Sequence, residues 1–439
     1  MKQYRRACIG LFLSVSLLTL GTNAQAEAAL LTLPESIDLA LKNNPTIQIA
    51  QANIEKAHWG LEQARANNGV TLEYNYLYGR SDQPPSWYNN TTTNFEYPAW
   101  SDTYTFYSHQ LKLQLPLYTG GKLESTADMA NRGKIAMGLA LTSTKEQLTL
   151  EVTTSYYNVL QARNLSVVAQ QAVDDLSAHL NNVQYHYDAG TVALSDVLQT
   201  QVRLADARNN LIKAQNAAKM ARYNLNKVIG LSLTDDTNLD DHISFEPYTG
   251  TLEDSLAIAF KNRAEIQQAK LQVAMSEDKI KIAQSNNLPT VAAIATENIA
   301  DSIPANSKHN TDWAVAISVS FNVFDNGITK TKTKDALAEL TIAAQQKRQL
   351  EDAITLEVSN TYLSVQEAAE RIKNNQVAVN QSKRDYEMAQ ERYNSGIGTN
   401  LDVMDAEVAM TQAKTNYIQA LYDYNSSRSQ LNKAMGLLH

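Results

Sequence analysis

Cysteine is almost absent from this chain of 439 residues, because Cys8 is the only one. A lone cysteine excludes disulfide bridges within the chain and zinc sites built on several thiolates. Glycine (16 residues), proline (9 residues) and aromatic residues (7%) are also few. A chain with so few helix-breaking residues, rich instead in Ala, Leu, Gln and Asn, favours long helices.

Basic residues are outnumbered, with 38 Lys and Arg against 46 Asp and Glu, which gives a formal net charge of −8. This balance disfavours a nucleic-acid partner, because nucleic acids attract clusters of basic residues. The chain is also longer than the about 250–300 residues at which single cores stop growing. The sequence thus predicts either two compact domains or one elongated structure.

Motifs of catalysis and metal binding are missing as well. The 7 histidines show no metal-ligand spacing, and the chain has neither a G-x-S-x-G motif nor a phosphate-binding loop. His179 and His186 lie on one predicted helix, where we expect them at the surface. The sequence therefore predicts no catalytic residue, no cofactor and no metal site.

Residues 1–26 have the pattern of a secretory signal peptide. Three basic residues precede an apolar run at 7–20, and the sequence A-Q-A at 24–26 matches a cleavage site. The run is shorter than the about 20 residues that span a bilayer, which disfavours a transmembrane anchor. We expect a mature chain that begins near Glu27 and lacks Cys8. No later apolar run is long enough for a transmembrane helix, so this chain either stays soluble or enters a membrane as a β-barrel.

The chain contains an internal repeat, which decides how it is organised. LPESIDLALKNNPTIQ (33–48) returns as LEDSLAIAFKNRAEIQ (252–267), displaced by 219 positions. Further on the displacement is 206, where LNKVIGL (225–231) falls on LNKAMGL (431–437). The change means that the first half has an insertion of 13 residues, between about 81 and 101. We expect this polar stretch to be an external loop.

Each half has the same predicted order: a helix, two strands, a very long helix and a shorter helix. The first repeat covers 27–231 and the second covers 251–439, with a polar linker or equatorial segment at 232–250. Each long helix measures on the order of 100 Å at about 1.5 Å per residue. Pro45 either interrupts the first helix or marks its first turn. The predicted strands cover about 70–80, 103–118, 289–299 and 312–325, the long helices 121–188 and 327–394, and the shorter helices 195–229 and 400–436.

The predicted strands alternate between apolar and polar residues. One face of the second strand carries leucines, and the other carries Lys112 and Gln114. The alternating apolar residues are Leu111, Leu113, Leu115 and Leu117 in the first half, and Trp313, Val315, Ile317, Val319, Phe321 and Val323 in the second. Such alternation is typical of a membrane β-barrel, and equally of a half-buried sheet in a soluble domain. The two long helices favour the barrel, because an ordinary soluble domain has no use for them.

Four strands per chain have a consequence for assembly. Small barrels need about eight strands, and an open sheet in lipid leaves unpaired edges at high cost. Several chains must therefore share one barrel. A dimer would supply eight strands and a trimer twelve, and the strand count alone does not choose between them.

Several motifs carry a resemblance to a known family. These are the two helical turns YDAGTVALSDV (187–197) and YNSGIGTNLDV (393–403), the joints LPLYTGG (115–121) and FNVFDNG (321–327), and the LNKxxGL endings. With the signal peptide and the duplicated halves, the chain resembles the TolC family over almost all of its mature length. The resemblance implies a mainly α fold with a small β part. In that fold a homotrimer forms a twelve-stranded β-barrel in outer-membrane lipid, continued by a twelve-helix α-barrel in the periplasm.

The resemblance also implies a function and partners. The expected protein is a passive exit duct of a tripartite efflux or type I secretion system. A periplasmic adaptor, also called a membrane fusion protein, docks at the helical tips and links the duct to an inner-membrane transporter. By resemblance we assign this contact to Ala189, Gly190, Thr191, Ser395, Gly396 and Ile397. The glycines also simply suit the end of a helix.

Three aspartates are expected at the inner mouth of the duct. Asp402 and Asp405 are three positions apart on one helix face, and they match the paired aspartates that ring the family's tunnel entrance. Asp196 is the first-half counterpart, whereas Gln199 replaces the second Asp there. Repulsion in such a ring would favour cations and raise some Asp pKa values. The alternative is that these are ordinary first-turn acids, which the helix dipole favours.

A gate is expected beside this ring. Tyr393 matches the tyrosine that helps to hold the family's entrance shut, and Ser195 and Asp196 match its hydrogen-bonding partners. The family's gate arginine is Gly398 here, so the closed state is expected to rest on Tyr393 hydrogen bonds and helix packing. Two other functions stay open at this point: a soluble periplasmic helical scaffold without a pore, and a secreted enzyme.

Overall fold

The computed structural model describes residues 30–82, 104–241, 243, 245–303 and 310–438. The predicted signal peptide and most of the predicted external loop at 81–101 lie outside the described residues. The first half contains α1 (Leu33–Asn43), α2 (Pro45–Ala66), β1 (Thr71–Ser81), β2 (Tyr104–Tyr118), α3 (Lys122–Asp188) and α4 (Leu194–Ile229). The second half contains α5 (Leu252–Asn262), α6 (Ala264–Gln284), β3 (Thr290–Ile303), β4 (Asn310–Ser320), α7 (Ile328–Asn394) and α8 (Asn400–Ala434).

The long helices α3 and α7 have 67 residues each, which corresponds to about 100 Å. Left-handed glycines, Gly121 and Gly327, precede them with φ near 80°. Each long helix packs against the shorter helix that follows it, α4 or α8. Among the residues that the structure describes, no helix is long and apolar enough to cross a lipid bilayer.

The first helical segment is divided at Pro45. Asn44 has an extended backbone and caps α2, because its side chain accepts from the Thr46 N–H at 2.9 Å. Pro45 occupies the first helical position, where its missing N–H costs nothing. Pro45 therefore interrupts the segment, the first of the two outcomes that the sequence allows.

Two equivalent cores lie where the shorter helices pack against the long ones. Val152 and Leu225 are fully buried in the first core, and Val358 and Leu431 occupy the repeat-equivalent places in the second. Each fully buried side chain of this kind contributes about 1.5–3 kcal/mol. The duplicated sequence thus builds the same core twice.

The segment between the halves lies against the first core. Leu31 pairs with Leu239 in an isolated parallel bridge. The Tyr156 hydroxyl lies 3.1 Å from the Leu31 carbonyl and 2.7 Å from that of Asp240. Buried Tyr424 donates in the same way to the Glu246 carbonyl at 2.5 Å. Both halves therefore hold this segment with a tyrosine hydroxyl.

The four strands form one antiparallel sheet in the order β1-β2-β3-β4. The register aligns Leu72, Leu113, Ala295 and Val315 in one row on a single face. The next row of the opposite face is Glu73, Lys112, Thr296 and Ala314. The apolar row is exposed at Leu72, Leu113 and Val315, and β1 and β4 are the edges of the sheet in the single chain.

The last strand is shorter than its sequence pattern predicts. β4 ends at Ser320, which pairs with Thr290, so Phe321 and Val323 lie beyond the strand. The pairing stops here because the next partner would be Pro289, which lacks an N–H for the ladder. At its other end β3 continues to Ile303, beyond its predicted end at 299, and pairs there with Thr105 of β2.

Candidate gate at the helical tips

The two tips are the turns between each long helix and the shorter helix that follows it. The first tip joins α3 to α4 and the second joins α7 to α8. Gly190 and Gly396 both have φ of 75°, a left-handed conformation that glycine adopts without strain. The helices close in the same way, because the Thr191 N–H donates to the His186 carbonyl at 2.9 Å and the Ile397 N–H donates to the Arg392 carbonyl at 3.0 Å.

The residues assigned to adaptor docking are all on the surface of the tips. Ile397 is the most prominent, with 80% of its area exposed. The exposed set is Ala189, Gly190, Thr191, Ser395, Gly396 and Ile397. An apolar side chain at the apex of a turn suits contact with another protein.

The tips differ at the start of the helix that follows. Thr399 and Asp402 form a capping box, with the Asp402 N–H 3.2 Å from Thr399 Oγ1 and the Thr399 N–H 2.9 Å from Asp402 Oδ2. Ala193 occupies the equivalent place before α4 and offers no side-chain cap. The helix after the second tip therefore begins with a side-chain cap that the helix after the first tip lacks.

The capping box sets the ionisation of Asp402. The Thr399 N–H and hydroxyl lower its pKa below the ordinary value, and the positive charge of Arg392 acts in the same direction. Within one chain this is opposite to the raised pKa that the sequence predicts for repelling aspartates. Within the single chain Asp402 is therefore a helix cap, and its place in a ring of several chains stays a prediction. Asp402 and Asp405 are both exposed on the same face of α8, and Asp196 is half-buried.

The Tyr393 hydroxyl makes no hydrogen bond within the described part of the chain. The side chain is only 5% exposed, and its ring lies 5.2 Å from the ring of His179 and 5.5 Å from that of His186. Burial and the negative charge of Asp196 raise the pKa of Tyr393. In the single chain, the expected hydrogen bonds to Ser195 and Asp196 are therefore absent. Tyr393 instead packs as an aromatic residue.

Gly398 has no room for a side chain. A Cβ at this position would lie 2.9 Å from Arg392 Cβ and 3.0 Å from the Tyr393 nitrogen. The Gly398 N–H also donates to the Arg392 carbonyl at 3.1 Å. The turn is thus built around glycine, which explains why an arginine cannot occupy this position without moving the tip.

A buried polar network joins the halves just above the tips. His179 Nε2 lies 2.7 Å from Asn400 Oδ1, and the Asn400 amide donates to the Asp196 carbonyl at 3.2 Å. The Thr200 hydroxyl shares its proton between the Asp196 carbonyl at 2.8 Å and Asn400 Oδ1 at 3.2 Å. Because the amide oxygen only accepts, His179 must donate from Nε2.

The surface position expected of His179 is wrong. The side chain is buried, because position 179 lies on the face of α3 that packs against α8. Burial lowers its pKa, whereas the bond to Asn400 acts in the opposite direction. The sequence carries a signal for this, since His179 is spaced three and four positions from Leu176 and Val183, which are both buried.

Asn400 and Thr200 are also missing from the residues that the sequence singles out. Polar residues at the start of a helix look like ordinary caps, and only the packing of one half on the other reveals their partners. The pairing of α3 with α8 has no local sequence signal. These residues therefore become visible only in three dimensions.

Two segments of the chain, residues 36–231 and 256–437, match the family described as outer membrane efflux protein. The chain belongs to this family. The matched segments coincide with the two repeats. The outer membrane efflux protein family is one of transport ducts rather than enzymes.

Individual members of the family are distant in sequence. The chain is 24% identical over 429 residues to the alkaline protease secretion protein AprF of Pseudomonas aeruginosa, covering 94% of this chain and 86% of that protein. It is 22% identical over 309 residues to the outer membrane protein TolC of Escherichia coli K12, covering 67% of this chain. That match spans 62% of the length of the E. coli protein.

A solved structure shares the fold. The outer membrane protein VceC of Vibrio cholerae superposes with a TM-score of 0.78 at 19% identity, over 92% of this chain and 96% of that one. The duplicated, mainly helical architecture with a small sheet, expected from the sequence, is thereby confirmed.

Proposed function

We propose that this protein is the outer-membrane exit duct of a tripartite efflux or type I secretion system. The protein lies in the outer membrane and extends into the periplasm, as its family indicates. The observation that carries the proposal is the four-stranded sheet with an exposed apolar face, placed next to helices of about 100 Å. Cargo passes without chemistry, and the inner-membrane partner supplies the energy.

A homotrimer completes this structure. The single chain leaves β1 and β4 as open edges, and an edge in lipid carries unpaired N–H and C=O groups that cost several kcal/mol each. Pairing β4 of one copy with β1 of the next removes every edge. Three copies supply twelve strands, which leaves a lumen wider than the side-chain-filled interior of eight strands.

The exposed apolar face of the sheet fits the lipid. Trp313, Val315, Ile317 and Val319 alternate along β4 with 66–77% of their area exposed. The opposite face carries Lys112, Glu73 and a Gln110–Asn298 hydrogen bond of 2.9 Å, which suit a water-filled lumen. This alternation is that of a membrane barrel.

The tips supply the partner contact in this proposal. A periplasmic adaptor docks on the exposed turns around Gly190 and Gly396, with Ile397 as the apolar anchor. The adaptor links the tips to an inner-membrane transporter. Replacing Ile397 with Asp should abolish capture of the adaptor in a crosslinking experiment, whereas Ser395→Asp, a change at a residue that is already polar, should weaken it less.

Asp402 and Asp405 form the cation-binding ring of the inner mouth. Both carboxylates are exposed, and the positive charge of Arg392 acts on Asp402. Cobalt hexammine, a trivalent cation, should block wild-type channels in planar bilayers and should lose most of this effect on an Asp402→Ala/Asp405→Ala variant. Unchanged block would reject the ring.

Membrane fractionation tests the function itself against the alternative of a soluble periplasmic scaffold. An exit duct stays with the outer membrane after a wash in concentrated urea, because its strands lie in lipid. A scaffold would be released into the urea supernatant. Release of the full-length chain would therefore overturn the proposal.

A further inference from the structure

The tips are not symmetric, although the repeat makes their sequences equivalent. The displacement of 206 positions places Asn400 on Leu194 and Tyr393 on Tyr187. Asn400 is 4% exposed and its counterpart Leu194 is 50% exposed, whereas Tyr393 and Tyr187 are 5% and 37% exposed. The second tip therefore inserts two side chains into the first hairpin, α3–α4, and the first tip inserts neither equivalent.

The burial of Asn400 and the exposure of Leu194 are the opposite of what hydrophobic packing favours. The buried place holds a polar amide, and the exposed place holds a leucine. Burying a leucine is favourable, whereas burying an amide is unfavourable unless its polar groups are hydrogen-bonded. Asn400 meets that condition with three polar contacts, to His179, Thr200 and the Asp196 carbonyl.

All three partners of Asn400 belong to the other half of the chain. His179 lies on α3, and Thr200 and Asp196 lie on α4, while Asn400 is the first residue of α8. The repeat does not provide an equivalent network for the first tip. The positions equivalent to His179 and Thr200 in the second half are Asp385 and Ala406, which cannot make the same hydrogen bonds. A buried polar network of this kind fixes one arrangement of two elements against others.

We infer that the Asn400 amide is the latch of the closed duct: it holds the hairpin α7–α8 against α3–α4, and its release opens the inner mouth. The inference rests on the proposed exit-duct function. Hydrogen bonds suit a latch, because water replaces them when the tips separate, so each bond biases the closed state only modestly. At Gly398 the turn has no room for a charged side chain that could take this role.

The test is the open probability of the purified full chain in planar bilayers. Asn400→Leu places at position 400 the residue of its counterpart. This variant should raise the open probability about tenfold, because it leaves the buried His179 Nε2–H without an acceptor in the closed state, and a penalty of about 1.4 kcal/mol is a factor of ten. The matched control is the reciprocal change, Leu194→Asn, which adds an exposed amide and should leave the open probability at the wild-type value.

Two smaller changes separate the latch from a general loss of packing. Thr200→Val keeps the shape of the side chain and removes one donor, so the open probability should rise about threefold. His179→Gln keeps an N–H donor for Asn400 and should retain the closed state at neutral pH. Wild-type open probability in both Asn400→Leu and Thr200→Val would overturn the latch, and if Asn400→Leu does not fold, Thr200→Val alone decides.

The outcome also separates the latch from the function on which it rests. If the wild-type chain conducts and both Asn400→Leu and Thr200→Val conduct with the same open probability as the wild type, the latch is wrong and the duct stands. If neither the wild type nor any of these variants conducts in bilayers, the exit-duct function fails and the latch fails with it.

Discussion

Removal of the Tyr393 hydroxyl should stabilise the closed tip if the hydroxyl is unpaired, and should destabilise it if the hydroxyl is hydrogen-bonded. The hydroxyl is buried without a partner among the described residues, and a buried unpaired polar group costs about 1–3 kcal/mol. Tyr393→Phe removes this cost and keeps the ring between His179 and His186. We expect the closed tip to become more stable by about 1 kcal/mol, which shifts the closed-to-open ratio about fivefold towards closed.

The assay is the open probability in planar bilayers, with Tyr187→Phe as the matched control. Tyr187 is the counterpart of Tyr393 in the first tip and is 37% exposed, so loss of its hydroxyl should change little. A Tyr393→Phe channel that opens more often than the wild type would refute the reasoning. That result would show that the hydroxyl is hydrogen-bonded in the assembled protein, as the family resemblance implies for Ser195 and Asp196.

The remaining predictions concern backbone, space and pH at the tips. Gly396→Ala forces a Cβ into φ of 75°, so it should destabilise the protein by about 1 kcal/mol and lower its thermal unfolding midpoint. Gly60→Ala, in a helix with open space at the Cβ, should raise it. Gly398→Arg should loosen the tip and raise conductance, because its Cβ meets the backbone of Arg392; reduced conductance would mean that the arginine forms a latch. Burial lowers the pKa of His179 in the closed tip, whereas an exposed histidine in the open tip has the ordinary pKa of about 6.5. As the pH falls below that value the open tip takes up a proton first, so the closed tip loses stability relative to the open one. His179→Gln should abolish this acid-induced opening in bilayer recordings at pH 7 and pH 5, and a variant that opens as much as the wild type would assign the effect elsewhere.

Two carboxylates work against the last of these effects. Burial raises the pKa of Glu407 on α8, so its protonation in acid stabilises the closed packing. Burial also raises the pKa of Asp175 on α3, so the wild-type channel reports the histidine effect against the opposite effect of these two carboxylates. His179→Gln isolates the histidine contribution because it leaves both carboxylates in place.

Much of the fold is predictable because the sequence repeats the same order of helices and strands in its two halves. The predicted long helix at 121–188 corresponds to α3 at Lys122–Asp188, and the predicted helix at 327–394 corresponds to α7 at Ile328–Asn394. The absence of Pro within these stretches and the glycines at their ends are local signals. The strand ends are less predictable, since the end of β4 depends on Pro289 in its neighbour rather than on its own residues.

Some features of the candidate gate are likewise predictable from local sequence, and others depend on contacts between the two halves. The turns at Gly190 and Gly396 and the capping acid Asp402 follow from residue types at fixed spacing. The burial of His179 and Asn400 depends on how α3 packs against α8, residues 221 positions apart in the chain. Sequence spacing therefore locates the tips but not the contact between them.

The most direct test of the central claim is the conductance of the purified wild-type chain in a planar lipid bilayer. An exit duct should insert and produce discrete single-channel steps, which cobalt hexammine reduces from the side of the tips. A chain that stays soluble after a urea wash and leaves the bilayer non-conducting, in the wild type and in Asn400→Leu alike, would contradict the account.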